Sequence, residues 1–203
     1  MKNDFLYNFH NMKKGILVIL SGPSGVGKGT VRSYLMKDQS LNLCFSVSMT
    51  TRKPRPGEVE GKDYFFVSNE RFLEAINNGE LLEYATFVEH SYGTPKKYVD
   101  ELLNEGKNVL LEIDTNGACQ VMEKCKNEPY VSVFLICQSL EELEKRIRGR
   151  KSESDEIIHE RLEKAKKELL LESKYQHIVL NDDPQRAALE IAGIIKEKIN
   201  DIK

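Results

Sequence analysis

Ile16-Leu17-Val18-Ile19-Leu20 runs through Ser21 into Gly22-Pro23-Ser24-Gly25-Val26-Gly27-Lys28-Gly29-Thr30. An apolar run, a glycine-rich turn and a helix start together make a cradle for phosphate. The glycines let backbone N–H groups turn inward, the helix N-terminus adds the positive end of its dipole, and Lys28 can reach the outer phosphates. The interval from Gly22 to Gly27-Lys28 fits the Walker A pattern with one departure. The Ser or Thr that usually follows the lysine is Gly29, and the hydroxyl comes one residue later, at Thr30. The implied ligand is a nucleoside triphosphate.

Working outward, further apolar runs occur at Val109–Ile113, Val131–Ile136 and Ile178–Leu180, with a shorter one near Phe45–Val47. They are continuous Val/Ile/Leu stretches without alternation, as parallel strands covered on both faces require. Helical patterns fall at Val31–Lys37, Lys97–Glu105, Leu140–Arg148, Ile157–Lys174 and Gln185–Ile199. Strand–helix alternation of this kind predicts an α/β fold, a doubly wound parallel sheet with a P-loop NTPase core and the ligand beyond the carboxyl ends of the strands. Residues Thr51 to Tyr98 break the rhythm. They hold Pro54, Pro56, Gly57 and Gly61, then Tyr64-Phe65-Phe66-Val67, a short helix that Ser68 could cap, and the mixed segment Leu81–Val88. This reads as a small inserted α+β subdomain. A second irregular stretch, Gly149 to Asp155, lies between two strongly charged helices and reads as a lid.

Composition narrows the function classes. The chain has 203 residues and a formal net charge of −2, so no global basic field invites a nucleic-acid polymer or an anionic membrane. No apolar run approaches the ~20 residues that span a bilayer. Met1–Asn11 lacks the apolar core of a secretory signal, and Met12-Lys13-Lys14-Gly15 resembles a natural start. Residues 1–11 are therefore expected to be a flexible extension, and the protein cytoplasmic. Cys44, Cys119, Cys125 and Cys137 show no CxxC pairing and His10, His90, His159 and His177 no paired spacing, which argues against a zinc site and for reduced thiols.

Ser48-Met49-Thr50-Thr51-Arg52-Lys53-Pro54-Arg55-Pro56-Gly57-Glu58 carries a resemblance. With Gly61-Lys62-Asp63-Tyr64-Phe65-Phe66, Glu83, Tyr92-Gly93-Thr94, Glu112-Ile113-Asp114 and Asn181-Asp182-Asp183, the chain closely resembles guanylate kinases, nucleoside monophosphate kinases of the P-loop class. The likeness runs in order from about Gly15 to the C-terminal helix. It implies a domain over 12–203, with a core of 12–47 and 99–203, a GMP-binding insert of 48–98 and a lid at about 146–161.

By position, the resemblance implies that Arg52, Arg55, Tyr64 and Tyr92 hold the phosphate of GMP, and the chemistry agrees. Guanidinium forks suit a dianion, and phenol hydroxyls complete its acceptor shell. Ser48, Glu83, Thr94 and Asp114 align with positions that read guanine. A carboxylate, acceptor only, suits the N1–H and N2 amine, and a hydroxyl suits O6. Glu112, where many relatives have Asp, and Asp114 close the strand Val109–Ile113 beside the glycine turn, and a carboxylate there can orient Mg²⁺ through water.

On the ATP side the resemblance implies Gly22, Pro23, Ser24, Gly25, Val26, Gly27, Lys28, Gly29 and Thr30, with Asn181 near the nucleoside. Arg146, Arg150 and Arg161 would meet the moving phosphoryl group with Lys28 and Arg52. Relatives have glycine after the lid arginine where this chain has Lys151. The implied reaction is transfer of the γ-phosphoryl group of ATP to GMP, and to dGMP, in purine nucleotide metabolism. It uses Mg²⁺ held by nucleotide and water, with no direct protein ligand assigned. Two other readings compete: an inactive module of this superfamily that binds protein partners, and a kinase for AMP or ribose 1,5-bisphosphate. The unbroken glycine turn opposes the first, and the set Ser48, Glu83 and Asp114 opposes the second.

Overall fold

The computed structural model of the chain describes residues 13–87, 89–149 and 155–202. The expected extension over 1–11 therefore lies outside the described residues.

Five parallel strands form the core: β1 (Leu17–Ser21), β2 (Leu43–Phe45), β7 (Asn108–Glu112), β8 (Tyr130–Ile136) and β9 (His177–Leu180), in the order β2-β7-β1-β8-β9. Leu20 sits opposite Glu112, and Ser21 opposite Phe134, so β1 and β7 end within a residue of each other while β8 runs two residues further. This is the parallel sheet expected of the apolar runs. Alternate residues of β1 leave on opposite faces. Ile16, Val18 and Leu20 join one core, with Val31, Leu143, Ile158 and Ile191 from α1 (Lys28–Leu35), α5 (Leu140–Arg148), α6 (Asp155–Leu169) and α7 (Pro184–Asp201). Leu17 and Ile19 join the other, with Val99 and Leu102 of α3 (Lys96–Asn104) and Ala118 and Val121 of α4 (Thr115–Lys124). Helices on both faces leave no polar side for the sheet, which is why its strands do not alternate.

A second sheet, β4-β3-β6-β5, is built from β3 (Ser48–Thr50), β4 (Tyr64–Phe66), β5 (Leu81–Phe87) and β6 (His90–Pro95). Its own core is small: Met49, Phe72, Ala75 and Leu81, with α2 (Asn69–Asn77) laid against it. The Ser68 hydroxyl accepts from Arg71 N–H and caps α2, as the sequence predicts. Leu82 leaves this sheet and enters the α3/α4 core of the first, which fixes where the neighbouring Glu83 points.

The elements depart from the sequence reading in several places, among them β2, which is Leu43–Phe45 where the apolar run suggested Phe45–Val47. Helix α1 starts at Lys28, not Val31, because Gly27 takes a left-handed conformation (φ 97°) and turns the chain directly into the helix. Helix α6 ends at Leu169 rather than Lys174. The chain tightens into a 3₁₀ turn at Glu172–Lys174 and leaves Leu170 in solvent. Helix α4 was not expected at all. Its first turn, Thr115-Asn116-Gly117, is made of poor helix formers, so periodicity does not reveal it. It forms because Asp114 accepts from Gly117 N–H at 2.8 Å and because Ala118, Val121 and Met122 are buried.

Candidate active site

The phosphate loop crosses the carboxyl end of β1. Among the described residues no side chain caps α1, so none competes with a ligand for its first amides. A β-carbon at Gly27 would come within 2.7 Å of Asn181 Nδ2, so the loop is also pressed against the end of β9. Asn181 is buried, and its side-chain amide donates to Val26 O at 2.6 Å. Lys28 Nζ donates to Gly22 O at 2.6 Å and Pro23 O at 3.3 Å, folded back over its own loop. Burial pushes its ammonium pKa down, while Glu168, Glu112 and Asp114 hold it up and Lys164 opposes them. Thr30 is exposed one turn into α1.

The lid arginines stand in different places. Arg146 donates to Glu142 Oε1 (3.0 Å), Val26 O (3.2 Å) and Asn181 O (2.9 Å), so its guanidinium ties α5 to the loop and to β9. Arg161, on α6, donates to Ser24 Oγ at 3.0 Å. Arg150 lies outside the described residues.

Across from the loop, β3 to β6 present two groups of side chains. In the first, Arg52 meets Glu58 as a two-pronged ion pair, Nη1 to Oε2 and Nη2 to Oε1, both 2.9 Å. This fork raises the Arg52 pKa and holds the Glu58 carboxyl at about 2. Glu58 Oε2 also accepts from Arg55 N–H at 2.7 Å. The Arg52 guanidinium lies 5.4 Å from the Tyr64 ring, and Tyr64 meets Tyr92 edge-on at 6.0 Å. Arg52, Tyr64 and Tyr92 thus converge, while the Arg55 side chain is exposed beside them.

In the second group, Thr94 Oγ1 donates to Glu83 Oε1 at 2.6 Å. Glu83 is 5% exposed, and burial, with the nearby Asp114 charge adding to it, pushes its pKa up to about 7 despite Thr94. A β-carbon at Gly117 would sit 2.7 Å from Glu83 Oε2 and 3.4 Å from Asp114 Oδ1. The two carboxylates, Glu83 from β5 and Asp114 from the cap of α4, therefore meet over the one residue of α4 that has no side chain. Ser48, opposite Tyr64 in the sheet register, lines a cleft of about 490 Å³ with Tyr64, Arg32 and Glu112. Glu112 lies 3.0 Å from Arg32 Nη1 and would be 3.6 Å from a β-carbon at Gly29.

Sequence reasoning assigned no role to Glu58, Gly117 or Glu168. Glu58 was legible inside the Arg52–Glu58 run, but its pairing with Arg52 needed the turn at Gly57. Gly117 carried no signal until the helix around it was known. Glu168 lay among the many charges of α6.

The family model described as guanylate kinase matches residues 14–198. A guanylate kinase of Mycoplasma capricolum is 52% identical over 193 residues, 95% of this chain and 64% of that one. One of Mesoplasma florum is 54% identical over 186 residues, 91% of this chain and 62% of the other. The chain thus spans less than two thirds of the length of these relatives. A crystal structure of guanylate kinase from Anaplasma phagocytophilum superposes with a TM-score of 0.71 at 35% identity, covering 92% of this chain and 87% of that one. Among the described residues no helix is long and apolar enough to cross a membrane. On its sequence and on its architecture, the chain belongs to the guanylate kinase family.

Proposed function

We propose that the protein is an ATP:GMP phosphotransferase, converting ATP and GMP, or dGMP, to ADP and the corresponding diphosphate. The observation that carries this reading is the meeting of Glu83 and Asp114 above Gly117, with Thr94 bonded to Glu83. Two acceptors side by side, one buried and one half-buried, suit the N1–H and N2 amine of guanine. Adenine has neither donor, and it would leave the ligand-facing oxygens of both carboxylates without a partner from the base. Sites built on such polar pairs reject the ligand that lacks the partner by about 10⁴–10⁵-fold.

With guanine there, Ser48 joins Glu83, Thr94 and Asp114 at the base, and the 5′ phosphate reaches the group formed by Arg52, Tyr64 and Tyr92, with Arg55 closing from the loop. Lys28 and the amides of Gly25 to Thr30 hold the ATP phosphates, and Asn181 and Arg146 brace the loop from beneath the nucleoside. An oxygen of the GMP phosphate attacks the γ-phosphorus, the bond to the β–γ bridging oxygen breaks, and ADP leaves. Lys28, Arg52 and Arg161 balance the charge shared along that line, and transfer requires them in place more than it requires a base. The insert over 48–98 and the lid at about 146–161 exclude water around the reacting groups.

Mg²⁺ belongs to this reading. Among the described residues no group of three His, Cys, Asp or Glu could hold a metal alone. The donor set fits an ion bound chiefly by nucleotide oxygens, with Glu112 and Asp114 orienting its waters, because Gly29 brings no hydroxyl and leaves the Glu112 carboxylate beside the loop. When bound, the ion neutralises charge on the β- and γ-phosphates.

The test is an acceptor screen with GMP, dGMP, AMP, CMP and UMP, following ADP formation. GMP and dGMP should turn over and the others fall by orders of magnitude. In Lys28→Ala turnover should drop by about 10²–10³-fold, the scale of losing one transition-state donor, with GMP binding retained. Equal use of AMP and GMP would overturn the base-reading role of Glu83 and Asp114.

A further inference from the structure

Glu168 takes no part in the chemistry above, yet it is among the most enclosed charges in the chain. It is 6% exposed, on α6, with its carboxylate turned toward the phosphate loop. Its Oε2 accepts from the backbone N–H of Ser24 at 3.0 Å, and its Oε1 lies 3.8 Å from Lys164. Arg161, Ala165 and Glu168 fall four and three residues apart and share one face of the helix. Ala165 on that face is fully buried, and Arg161 donates to the Ser24 hydroxyl at 3.0 Å. Helix α6 therefore grips Ser24 at both its main chain and its side chain, across 144 residues of sequence for the main-chain bond.

We propose that Glu168 is a positioning residue for triphosphate binding, holding the phosphate loop in its receptive shape through the Ser24 amide. A carboxylate is costly to bury, and a helix gains nothing from one there unless its partner matters. The partner is an amide of the phosphate loop itself, and among the described residues Glu168 is the acceptor it meets. The same anion is the largest of the charges that favour the protonated form of Lys28, ahead of Glu112 and Asp114 and against Lys164. Loop shape and lysine charge are both requirements of the triphosphate, and neither concerns the monophosphate across the cleft. The proposal rests on reading the glycine loop as the ATP site.

The test uses Glu168→Met, which keeps the volume and removes the acceptor, and Glu168→Gln, which keeps an acceptor without charge. Calorimetry measures the Kd of the imidodiphosphate analogue of ATP with Mg²⁺, and separately of GMP. In the methionine variant the analogue should bind about tenfold more weakly, the size expected for one lost charge-assisted hydrogen bond, with the GMP Kd within twofold of the parent. Glutamine should recover most of the loss. An unchanged analogue Kd in Glu168→Met, a parallel loss of GMP, or glutamine no better than methionine would each overturn the proposal. If the methionine variant does not fold, the Ser24 amide decides. Its proton resonance should move upfield in Glu168→Gln as the acceptor loses charge, and a resonance that stays put refutes the contact. Failure of the unaltered protein to bind the analogue would instead refute the loop as the ATP site.

Discussion

Arg52 is met by Glu58 along one edge of its guanidinium, and the carboxylate's second role, accepting from Arg55 N–H, ties the same anion to the loop backbone. The fork uses two of the five N–H donors of Arg52 and holds the plane of the group. Two outcomes of removing Glu58 can be told apart. If the carboxylate competed with the GMP phosphate, Glu58→Ala would tighten GMP binding. If it aims the arginine, the variant would weaken it, because a long free side chain loses rotamer entropy on each binding event. The fixed loop favours the second. Glu58→Ala should raise the GMP KM by about tenfold, the loss of one charge-assisted hydrogen bond, with the ATP KM unchanged. Steady-state kinetics with each substrate varied in turn checks this. A lower GMP KM would show that Glu58 screens the site.

Among the elements, α4 does most to shape the base pocket. It brings Asp114 as its cap and Gly117 as its gap, and β5 delivers Glu83 into that gap from the other sheet. Gly117→Ala puts a methyl 2.7 Å from Glu83 Oε2, with a helix backbone behind it that cannot yield. The expected result is a carboxylate displaced from Thr94, a GMP affinity lower by tenfold or more, scaled as about two hydrogen bonds at ~1 kcal/mol each, and unchanged binding of an ATP analogue. Titration of both ligands by calorimetry checks it. The same helix marks the limit of what could be read from the chain. The parallel strands were legible because burial on both faces leaves them continuous and apolar, and the phosphate loop because backbone geometry demands glycine at set intervals. Ser68 was legible as a cap because capping is local. Helix α4 was not, since its stability comes from Asp114 and from burial against the sheet rather than from its own residues. The ends of α1 and α6 escaped for similar reasons, one set by a left-handed glycine and one by a 3₁₀ turn. Of the site, the residues carried by tight motifs could be named from sequence. The contacts that aim them, from Glu58, Gly117 and Glu168, join distant segments or close a turn and become visible only in three dimensions.

For the molecule as a whole, the buried Glu83 and the paired Glu58 couple folding to pH in opposite directions. Glu83 titrates at about 7 in the folded chain against 4.5 unfolded. Between those values the folded state holds a proton that the unfolded state has released, so stability falls as pH rises through that window, by an amount of order 3 kcal/mol. Glu58 runs the other way. Its folded pKa of about 2 lies below 4.5, so its pairing with Arg52 contributes stability above pH 4.5 that is lost as pH falls toward 2. Glu83→Gln separates the two. Its melting temperature should match the parent near pH 4.5 and exceed it by a margin that grows up to pH 7 and then levels, seen in thermal melts of both proteins across that range. Ligand reverses the preference. GMP needs the ionised carboxylate, so the rise in melting temperature on adding GMP should grow with pH through 7 in the parent, and should be small and flatter in Glu83→Gln. The phosphate of GMP also titrates, near 6, but it does so for both proteins and drops out of their difference. A parent whose melting curve shows no excess pH dependence over the glutamine variant would mean that Glu83 is ionised and solvated in the free protein, and that the buried, donor-seeking carboxylate invoked to select guanine is not there.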